Sequence, residues 1–234
     1  MAKKRVQSKV CASIGADSLD GMVRKTEYAF RLGSDLVEFR IDRLTSRVTP
    51  SEITAKLRRF ASRSIVTVRS KRQGGGFNGG DIERLGLISE LATMRPAYLD
   101  IELETAAINE GWTGSLPKKV ERIVSWHDFK GTPDIKKLRK TCEDELAHGS
   151  IAKVVTTATK IEDNLNALRL CEENPGRVAS FCMGELGVTS RLLSMFLGAP
   201  IAYAALPNDS MAPGQLPISA MIEFRGLVPK DEDR

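Results

Sequence analysis

Short stretches typical of β-strands recur eight times along the 234 residues, and most of them are separated by segments with helical spacing. The eight stretches are KVCASI, LVEFRID, SIVTVRS, YLDIEL, RIVSWHD, IAKVVTTA, RVASFCMG and PIAYAAL. Alternation of strand and helix indicates a parallel sheet, and eight such units in roughly 250 residues are the size of a TIM barrel. The sequence therefore predicts an α/β fold in which residues 1–234 form a single (β/α)8 TIM barrel.

Six segments between these strands have helical periodicity: SLDGMVRKTEYAFRLG, SEITAKLRRFAS, DIERLGLISELATM, PDIKKLRKTCEDELAHG, KIEDNLNALRLCEENPG and GVTSRLLSMFLGA. Several end, as helices commonly do, at glycine: Gly33, Gly149, Gly176 and Gly198. The link from YLDIEL to RIVSWHD differs, because ETAAINEGWTGSLPKKVE contains two glycines and a proline. We expect one short helix at most in that link.

Polar side chains recur on one face of five predicted strands, near the strand ends. The residues with this placement are Glu38, Arg40, Asp42, Thr67, Arg69, Asp100, Glu102, Ser125, His127 and Lys153. The opposite face is apolar, as packing against helices requires. A doubly wound open sheet would cover both faces with helices and favour continuous apolar strands. A barrel turns one face of each strand inward, so the pattern favours a barrel that encloses these charges.

Composition and charge argue against several other classes of protein. The formal charge of +5 is spread along the chain, and the basic stretch KKLRK lies beside the acidic CEDE without interleaved aromatics, so we expect no nucleic-acid partner. The four cysteines form no CxxC pair, which favours a reducing cytoplasm and predicts neither a metal site nor a disulfide framework. The opening MAKKR is basic but no apolar run follows, so we expect a frayed terminus, no signal peptide and no membrane span.

Lys153 is the sharpest single signal for chemistry, because it stands between apolar neighbours in IAKVV. Burial there is expected to remove hydration from the ammonium and to lower its pKa toward neutrality. A neutral amine attacks a ketone to form a Schiff base, whose iminium acidifies the adjacent C–H bonds. The alternative is a lysine whose stem packs in the sheet and whose head pairs with a carboxylate.

His127, in SWHDF, is one of two histidines in the chain and lies at a strand end. The other, His148, precedes a helix-ending glycine and is interpreted as a capping or surface residue. His127 shares its predicted face with Lys153, which favours a role in proton transfer, with Asp100 or Glu102 orienting or tuning it. The alternative is a neutral histidine that is hydrogen-bonded at the edge of the sheet.

Three arginines are candidates for binding an anion or a polyol, because guanidinium groups match carboxylates and pairs of hydroxyls. They are Arg40, Arg69 and Arg191, and a surface position is the alternative for each. Arg191, in GVTSRLL, is expected in the first turns of a helix, whose free backbone amides would help to bind a carboxylate.

Three glycines, Gly74, Gly76 and Gly79, have the GxGxxG spacing of a dinucleotide-binding loop. The residues KRQ separate this run from the preceding strand, whereas a dinucleotide site needs a tight turn directly after the strand. We therefore interpret QGGGFNGGD as a flexible loop at the mouth of the barrel.

Seven motifs together resemble the type I 3-dehydroquinate dehydratase family in order and spacing, over nearly the whole chain: EFRID, VRS, DIEL, SWHDF, IAKVVTTA, FCMGELGVTSR and APGQ. The resemblance implies a (β/α)8 barrel, usually a homodimer, that belongs to the shikimate pathway. It further implies that the enzyme removes water from 3-dehydroquinate to give 3-dehydroshikimate, without a metal or an organic cofactor.

The resemblance also implies roles for individual residues. Lys153 would form the imine with the substrate, and His127 would take the C2 proton and return a proton to the departing C1 hydroxyl. The remaining positions would bind the substrate: Glu38, Arg40 and Arg69 its hydroxyls, Arg191 and Gln215 its carboxylate, and Met183 as an apolar wall.

Two positions depart from the family pattern. Gln73 stands where many members have a glutamate that contacts the catalytic histidine, so that Asp100 or Glu102 is expected to tune His127 instead. Met211 stands where many members have a serine on the loop that closes over the substrate, with Ser210 as a substitute one residue away.

Two other functions fit parts of the pattern. A class I aldolase-like enzyme also forms an imine in a barrel, but it would need a phosphate site, for which backbone amides near Gly187 are candidates. A non-catalytic anion-binding module would use the arginines without needing Lys153 or His127.

Overall fold

A single sheet of eight parallel strands forms the centre of the protein, in a computed structural model that describes residues 6–229. The strands are β1 (Lys9–Ile14), β2 (Leu36–Arg40), β3 (Ser64–Thr67), β4 (Tyr98–Glu102), β5 (Glu121–His127), β6 (Ile151–Thr157), β7 (Val178–Met183) and β8 (Ile201–Ala204). All eight predicted stretches are strands, although several end one to three residues early. The opening MAKKR lies outside the described residues.

The strands follow one another around the sheet in chain order, and β8 pairs back onto β1. Each neighbouring pair is parallel, which requires a crossover connection after every strand. Between β7 and β8 the ring is bridged just before the strands, where the Gly176 amide donates to the Gly198 carbonyl over 2.7 Å. The sheet is therefore a nearly closed barrel, which confirms the predicted TIM-barrel fold.

Helices surround the barrel in the described part of the chain. They are α1 (Leu19–Arg31), α2 (Pro50–Leu57), α3 (Asp81–Ala92), α4 (Leu103–Ile108), α5 (Glu110–Ser115), α6 (Ile135–His148), α7 (Asp163–Glu173), α8 (Val188–Leu193) and α9 (Ile218–Gly226). Six correspond to the predicted segments, and α9 was not predicted. His148 is the last residue of α6, as its interpretation as a capping residue requires.

The link between β4 and β5 differs from its prediction, because it contains two short helices where one at most was expected. Asn109 leaves the helical conformation, with φ −119° and ψ 46°, and separates α4 from α5. A Cβ at Gly111 or Gly114 would meet nothing within 4 Å, so packing does not require glycine at either position of α5. Glycine weakens a helix without forbidding it, so it was a poor guide to the end of one.

Local sequence signals fix where several helices begin and end. Helix α2 starts at a capping box, in which Thr49 and Glu52 bond each other's backbone amides. Helix α6 starts where the Asp134 side chain accepts from the Lys137 amide. Gly33 follows α1 with a φ of +93°, which favours glycine. Gly149 is needed for a different reason, since a Cβ there would lie 2.7 Å from the Arg122 carbonyl oxygen of β5.

The two faces of the strands pack into separate cores. Outward residues such as Val37, Phe39 and Leu99 join the apolar faces of the helices. Inward residues such as Leu36, Ile65 and Tyr98 fill the barrel interior below the polar side chains. The interior is thus apolar at the N-terminal ends of the strands and charged toward their C-terminal ends, where TIM-barrel sites lie.

Two further features follow from the described residues. Among residues 6–229, no helix combines the length and the apolar character needed to cross a bilayer. The same range contains no cluster of three or more His, Cys, Asp or Glu side chains that could hold a metal ion.

Candidate active site

One cavity of about 340 Å³ opens at the C-terminal ends of the strands. The residues predicted to act on or bind the substrate all line it: Glu38, Arg40, Arg69, His127, Lys153, Met183, Arg191 and Gln215. They reach the cavity from six strands or the loops that follow them. Five of the ten polar residues placed on one strand face by period-two spacing are among them: Glu38, Arg40, Arg69, His127 and Lys153.

Lys153 lies in the middle of β6 with 4% of its surface exposed. Its Nζ is 3.0 Å from Oδ2 of Asp100 and 3.3 Å from Oε1 of Glu38. The pairing with carboxylates agrees with the alternative drawn from the sequence, and the burial on which the hypothesis of an imine-forming amine depends is also present. The negative charges of these two carboxylates stabilise a positive charge on this nitrogen, because burial weakens the screening by solvent.

The two carboxylates are themselves held as anions. Burial raises the pKa of Asp100, but the positive charges of Arg69 and Lys153 outweigh it and leave the pKa well below its ordinary value. Burial likewise raises the pKa of Glu38, and Lys153 and Arg40 bring it below normal. Both groups therefore stay ionised at neutral pH.

Arg69, which lies just beyond β3, donates hydrogen bonds to two side chains at the base of the cavity. Its Nη2 donates to Oδ1 of Asp100 over 2.8 Å, and its Nη1 donates to Oγ of Ser125 over 2.7 Å. Burial lowers the pKa of Arg69, but Asp100 and Glu102 more than offset that effect and raise it. Arg69 is thus a permanent cation that positions Asp100 beneath Lys153.

Glu102 does not reach His127, which differs from the expectation that Asp100 or Glu102 orients the imidazole. Its carboxylate accepts from the backbone amide and the hydroxyl of Ser70, over 2.8 and 2.9 Å. It also pairs with Arg84 of α3 at 3.5 Å. Because Glu102 is the last residue of β4, its side chain meets the loop after β3 instead of the cavity.

Gln73 contacts both the backbone and the ring of His127. Its Oε1 accepts from the His127 backbone amide over 3.0 Å and lies 3.2 Å from Nδ1 of the ring. An amide oxygen only accepts, so Nδ1 carries the proton and Nε2 keeps a free lone pair. Phe129 stacks on the imidazole with the ring planes 9° apart.

The surroundings of His127 keep its ring neutral. Burial lowers its pKa well below the ordinary value, and the positive charges of Arg69 and Lys153 lower it further. The negative charge of Asp100, one of the two carboxylates expected to tune the ring, opposes this shift without reversing it. A neutral imidazole with a free lone pair can act as a general base.

Arg191 forms the opposite end of the cavity, and it is 3% exposed on α8. Its Nη2 donates to the Pro213 carbonyl over 3.2 Å, and its Cζ lies 4.4 Å from the centroid of the Phe181 ring. No carboxylate of residues 6–229 forms an ion pair with it, and its Nε has no hydrogen-bond partner there. Burial lowers its pKa to about 10, so it remains a cation at neutral pH.

The loop between β8 and α9 closes over the cavity. Oε1 of Gln215 accepts from the backbone amide of Met211, and its Nε2 donates to Oγ of Ser13 over 3.3 Å. Met211 lines the cavity, whereas Ser210 is turned back to the Ala212 carbonyl within the loop. An apolar side chain thus takes the place where the family pattern has a serine.

Arg40 and the glycine-rich loop are fixed by one carboxylate. Arg40 donates two hydrogen bonds to Asp42, over 2.8 and 2.9 Å, and Asp42 also accepts from the Gly76 amide. A Cβ at Gly75 would lie 2.1 Å from the Arg69 carbonyl oxygen. The run QGGGFNGGD is at the barrel mouth as predicted, and its glycines permit a close approach that brings Gln73 to the cavity.

Three aromatic residues of the cavity were missed by sequence reasoning: Phe129, Phe181 and Tyr203. The signal was present for two of them, because Phe181 and Tyr203 have the inward parity of their strands. Their rings carry no charge at neutral pH, so the pattern of charged side chains did not indicate them.

Comparisons with known proteins agree with the motif resemblance. Residues 10–229 match the model of a family described as type I 3-dehydroquinase. A 3-dehydroquinate dehydratase of Methanocaldococcus jannaschii is 33% identical over 94% of this chain and 98% of its own length. A crystal structure of 3-dehydroquinate dehydratase from Geobacillus kaustophilus HTA426 has a TM-score of 0.81 at 25% identity, covering 94% of this chain and 91% of its own. That from Aquifex aeolicus VF5 has a TM-score of 0.78 at 27% identity, with 93% and 97% covered. The chain therefore belongs to the type I 3-dehydroquinase family.

Proposed function

We propose that this chain dehydrates 3-dehydroquinate to 3-dehydroshikimate through a Schiff base on Lys153. The observation that carries the proposal is the buried amine of Lys153 in one cavity with His127, two carboxylates and the arginines. The family membership supplies the substrate, because the relatives are named for this reaction.

The amine of Lys153 begins the reaction after it has lost a proton. Its lone pair adds to the C3 carbonyl of the substrate to give a carbinolamine. The carbinolamine hydroxyl takes up the proton that the ammonium released and leaves as water, so that a protonated imine remains on Nζ. Glu38 and Asp100, at 3.3 and 3.0 Å from Nζ, stabilise that positive charge as they stabilise the ammonium. The iminium then withdraws electrons from the neighbouring C2–H bond.

His127 carries the proton in the proposed reaction. Nε2 takes the C2 proton, and the electrons of that bond form an enamine with the nitrogen as the acceptor. The enamine then expels the C1 hydroxyl, which leaves as water with the proton that His127 returns. Water finally hydrolyses the conjugated imine, which releases 3-dehydroshikimate and restores the lysine.

The remaining side chains bind the substrate in this proposal. Arg191 and Gln215 hold its carboxylate, and Glu38, Arg40 and Arg69 hold its hydroxyls. No carboxylate of residues 6–229 pairs with the guanidinium of Arg191, and this supports the first assignment, because a buried cation without a carboxylate partner favours an anionic ligand. Met183, 8% exposed at the end of β7, provides an apolar wall.

Four broader expectations accompany the reaction. Each proposed step uses side chains of the chain itself, so no cofactor or metal enters the proposal. The family resemblance supports a homodimer, the cysteine pattern supports a cytoplasmic location, and the mixed charges without interleaved aromatics support the lack of a nucleic-acid partner. Light scattering coupled to size-exclusion chromatography tests the dimer, and a monomer at working concentration would contradict it.

The geometry gives little support to an aldolase acting on sugar phosphates. A phosphate site near Gly187 would use free backbone amides, but the Gly187 amide already donates to the Gly184 carbonyl over 3.0 Å. The Ser190 amide donates to Oδ1 of Asn164 over 3.2 Å. Helix α8, which begins there, is also only six residues long.

The test adds 3-dehydroquinate to the purified protein and follows near-ultraviolet absorbance, which rises when a conjugated enone forms. Borohydride is then added, and peptide mass spectrometry locates the reduced adduct. We expect turnover and an adduct on Lys153. No absorbance change at high protein concentration would contradict the dehydratase, and an adduct formed with a sugar phosphate would favour the aldolase.

A further inference from the structure

Tyr203 lies against the amine of Lys153, and the proposed reaction assigns it no role. It belongs to β8, faces the barrel interior, and lines the cavity with 4% of its surface exposed. Nζ of Lys153 lies 4.1 Å from the centroid of its ring. A cation at that distance over an aromatic face is attracted by the negative face of the ring.

The two carboxylates near Nζ also accept hydrogen bonds from other residues, whereas the face of the Tyr203 ring contacts one cation among the described residues. Glu38 also accepts from Ser13 and Thr67, over 2.8 and 2.9 Å. Asp100 also accepts from Arg69 and Ser125. Among residues 6–229, the one cation over the Tyr203 ring is that of Lys153.

We propose that Tyr203 is a further catalytic residue, whose ring face stabilises the positive charge on the nitrogen of the imine at Lys153. The inference rests on the proposed Schiff-base function. It concerns one equilibrium, in which the imine nitrogen gains or loses a proton while the carbon skeleton is unchanged.

That equilibrium matters because the two forms of an imine differ in reactivity. The protonated form draws electrons from C2 and makes the proton there removable, whereas the neutral form draws them weakly. A ring face that attracts the cation and not the neutral nitrogen increases the protonated fraction. The benefit is greatest on the alkaline side, where the neutral imine competes.

Other groups also act on this nitrogen from the elements packed around it. The charged or titratable ones are Cys11 on β1, Glu38 on β2, Arg69 after β3, Asp100 on β4, His127 on β5, and Glu145 on α6 behind β6. The test must therefore alter the ring alone and leave these groups in place.

The Tyr203 hydroxyl is a separate question from the ring face. It is buried, and it has no hydrogen-bond partner among residues 6–229. Y203F removes the hydroxyl and keeps the face, so we expect the pH at which half of the imine is protonated to stay within about 0.3 unit of that in the parent enzyme. A larger shift would assign the effect to the hydroxyl and would overturn the ring-face proposal.

The main test replaces Tyr203 with phenylalanine and with mono-, di- and trifluorinated phenylalanines, which keep ring size and weaken the negative face stepwise. Each protein is mixed with an equilibrium mixture of 3-dehydroquinate and 3-dehydroshikimate. Cyanoborohydride, which reduces the protonated imine in preference to the neutral one, then traps the adduct across a range of pH. We expect the midpoint of trapping to move stepwise to lower pH, by about one unit over the series, equivalent to about tenfold in the imine equilibrium.

Tyr98 provides the matched control, because it is also a buried tyrosine inside the barrel but does not line the cavity. The same series at Tyr98 is expected to leave the midpoint unchanged. Equal midpoints across the Tyr203 series would overturn the proposal while leaving the dehydratase intact. If the parent enzyme itself gave no adduct on Lys153, the underlying function would fail instead, so the two failures are distinguishable.

Discussion

The two ends of the cavity hold buried cations in opposite ways. At one end, the ammonium of Lys153 contacts two carboxylates and an aromatic face. At the other end, the guanidinium of Arg191 contacts a backbone carbonyl and an aromatic face, and no carboxylate of the described residues pairs with it. Both residues are less than one-twentieth exposed, so solvent screens neither charge well.

This difference separates catalysis from binding. In the proposed reaction, a cation that is already balanced by carboxylates is replaced by an iminium of the same charge, so covalent bond formation leaves the charge of that end unchanged. A buried cation without a carboxylate carries an uncompensated cost, which an anionic ligand removes on binding. We therefore expect changes at the Lys153 end to affect turnover and changes at the Arg191 end to affect affinity.

The largest expected effect comes from K153M. Methionine keeps an unbranched chain but has no amine, so we expect turnover to fall by roughly 10⁴-fold or more and no borohydride adduct to form. Glu38 would lose its ion pair, while Asp100 would keep Arg69. Circular dichroism and urea unfolding check that the barrel persists. Retained turnover in a folded variant would contradict the covalent route.

H127A tests the proton carrier within the same end of the cavity. The electrophile on Lys153 survives in this variant, so slow trapping should remain while turnover falls by roughly 10²- to 10⁴-fold. Stopped-flow absorbance and mass spectrometry measure the two quantities on one sample. Undiminished turnover would remove His127 from its assigned role.

R191Q tests the opposite end. Charge-assisted hydrogen bonds to a carboxylate contribute about 1.5–3 kcal/mol, so KM should rise roughly 10- to 100-fold while kcat changes much less. R169Q, at an exposed arginine of the neighbouring helix α7, is the control and should leave both constants unchanged. A fall in kcat with KM unaltered would contradict the expectation that the Arg191 end affects affinity and the Lys153 end affects turnover.

The barrel was predictable from the sequence because strand periodicity and composition report which face of a strand is buried. Glu38, Lys153 and His127 were assigned to one interior from parity alone, and they line one cavity. Parity works here because every strand of a barrel has one inward face. Parity alone did not show that Glu102, the last residue of its strand, contacts Ser70 and lies 3.9 Å from Nη1 of Arg69 without lining the cavity itself.

Contacts made by loops were not predictable in the same way. Gln73 reaches His127 only because the glycine-rich loop folds back closely onto the Arg69 carbonyl. Sequence spacing contains no information about such a fold-back, so the tuning of His127 was expected from carboxylates on the strands. The partners of Lys153 were likewise undecided, because pairing across the barrel joins residues more than 50 positions apart.

Q73E has the smallest expected effect on maximal rate and the clearest effect on pH dependence. A carboxylate facing Nδ1–H would stabilise the imidazolium and raise the pKa of His127, which burial now holds below its ordinary value. A base is lost as pH falls through its pKa, so a higher pKa moves the acidic limb of kcat/KM to higher pH. We expect a shift of roughly one unit or more, against none for Q7E at an exposed glutamine. If the acidic limb of kcat/KM did not move, the amide of Gln73 would only position the backbone of His127. The neutrality of His127 would then come from burial and from the positive charges of Arg69 and Lys153.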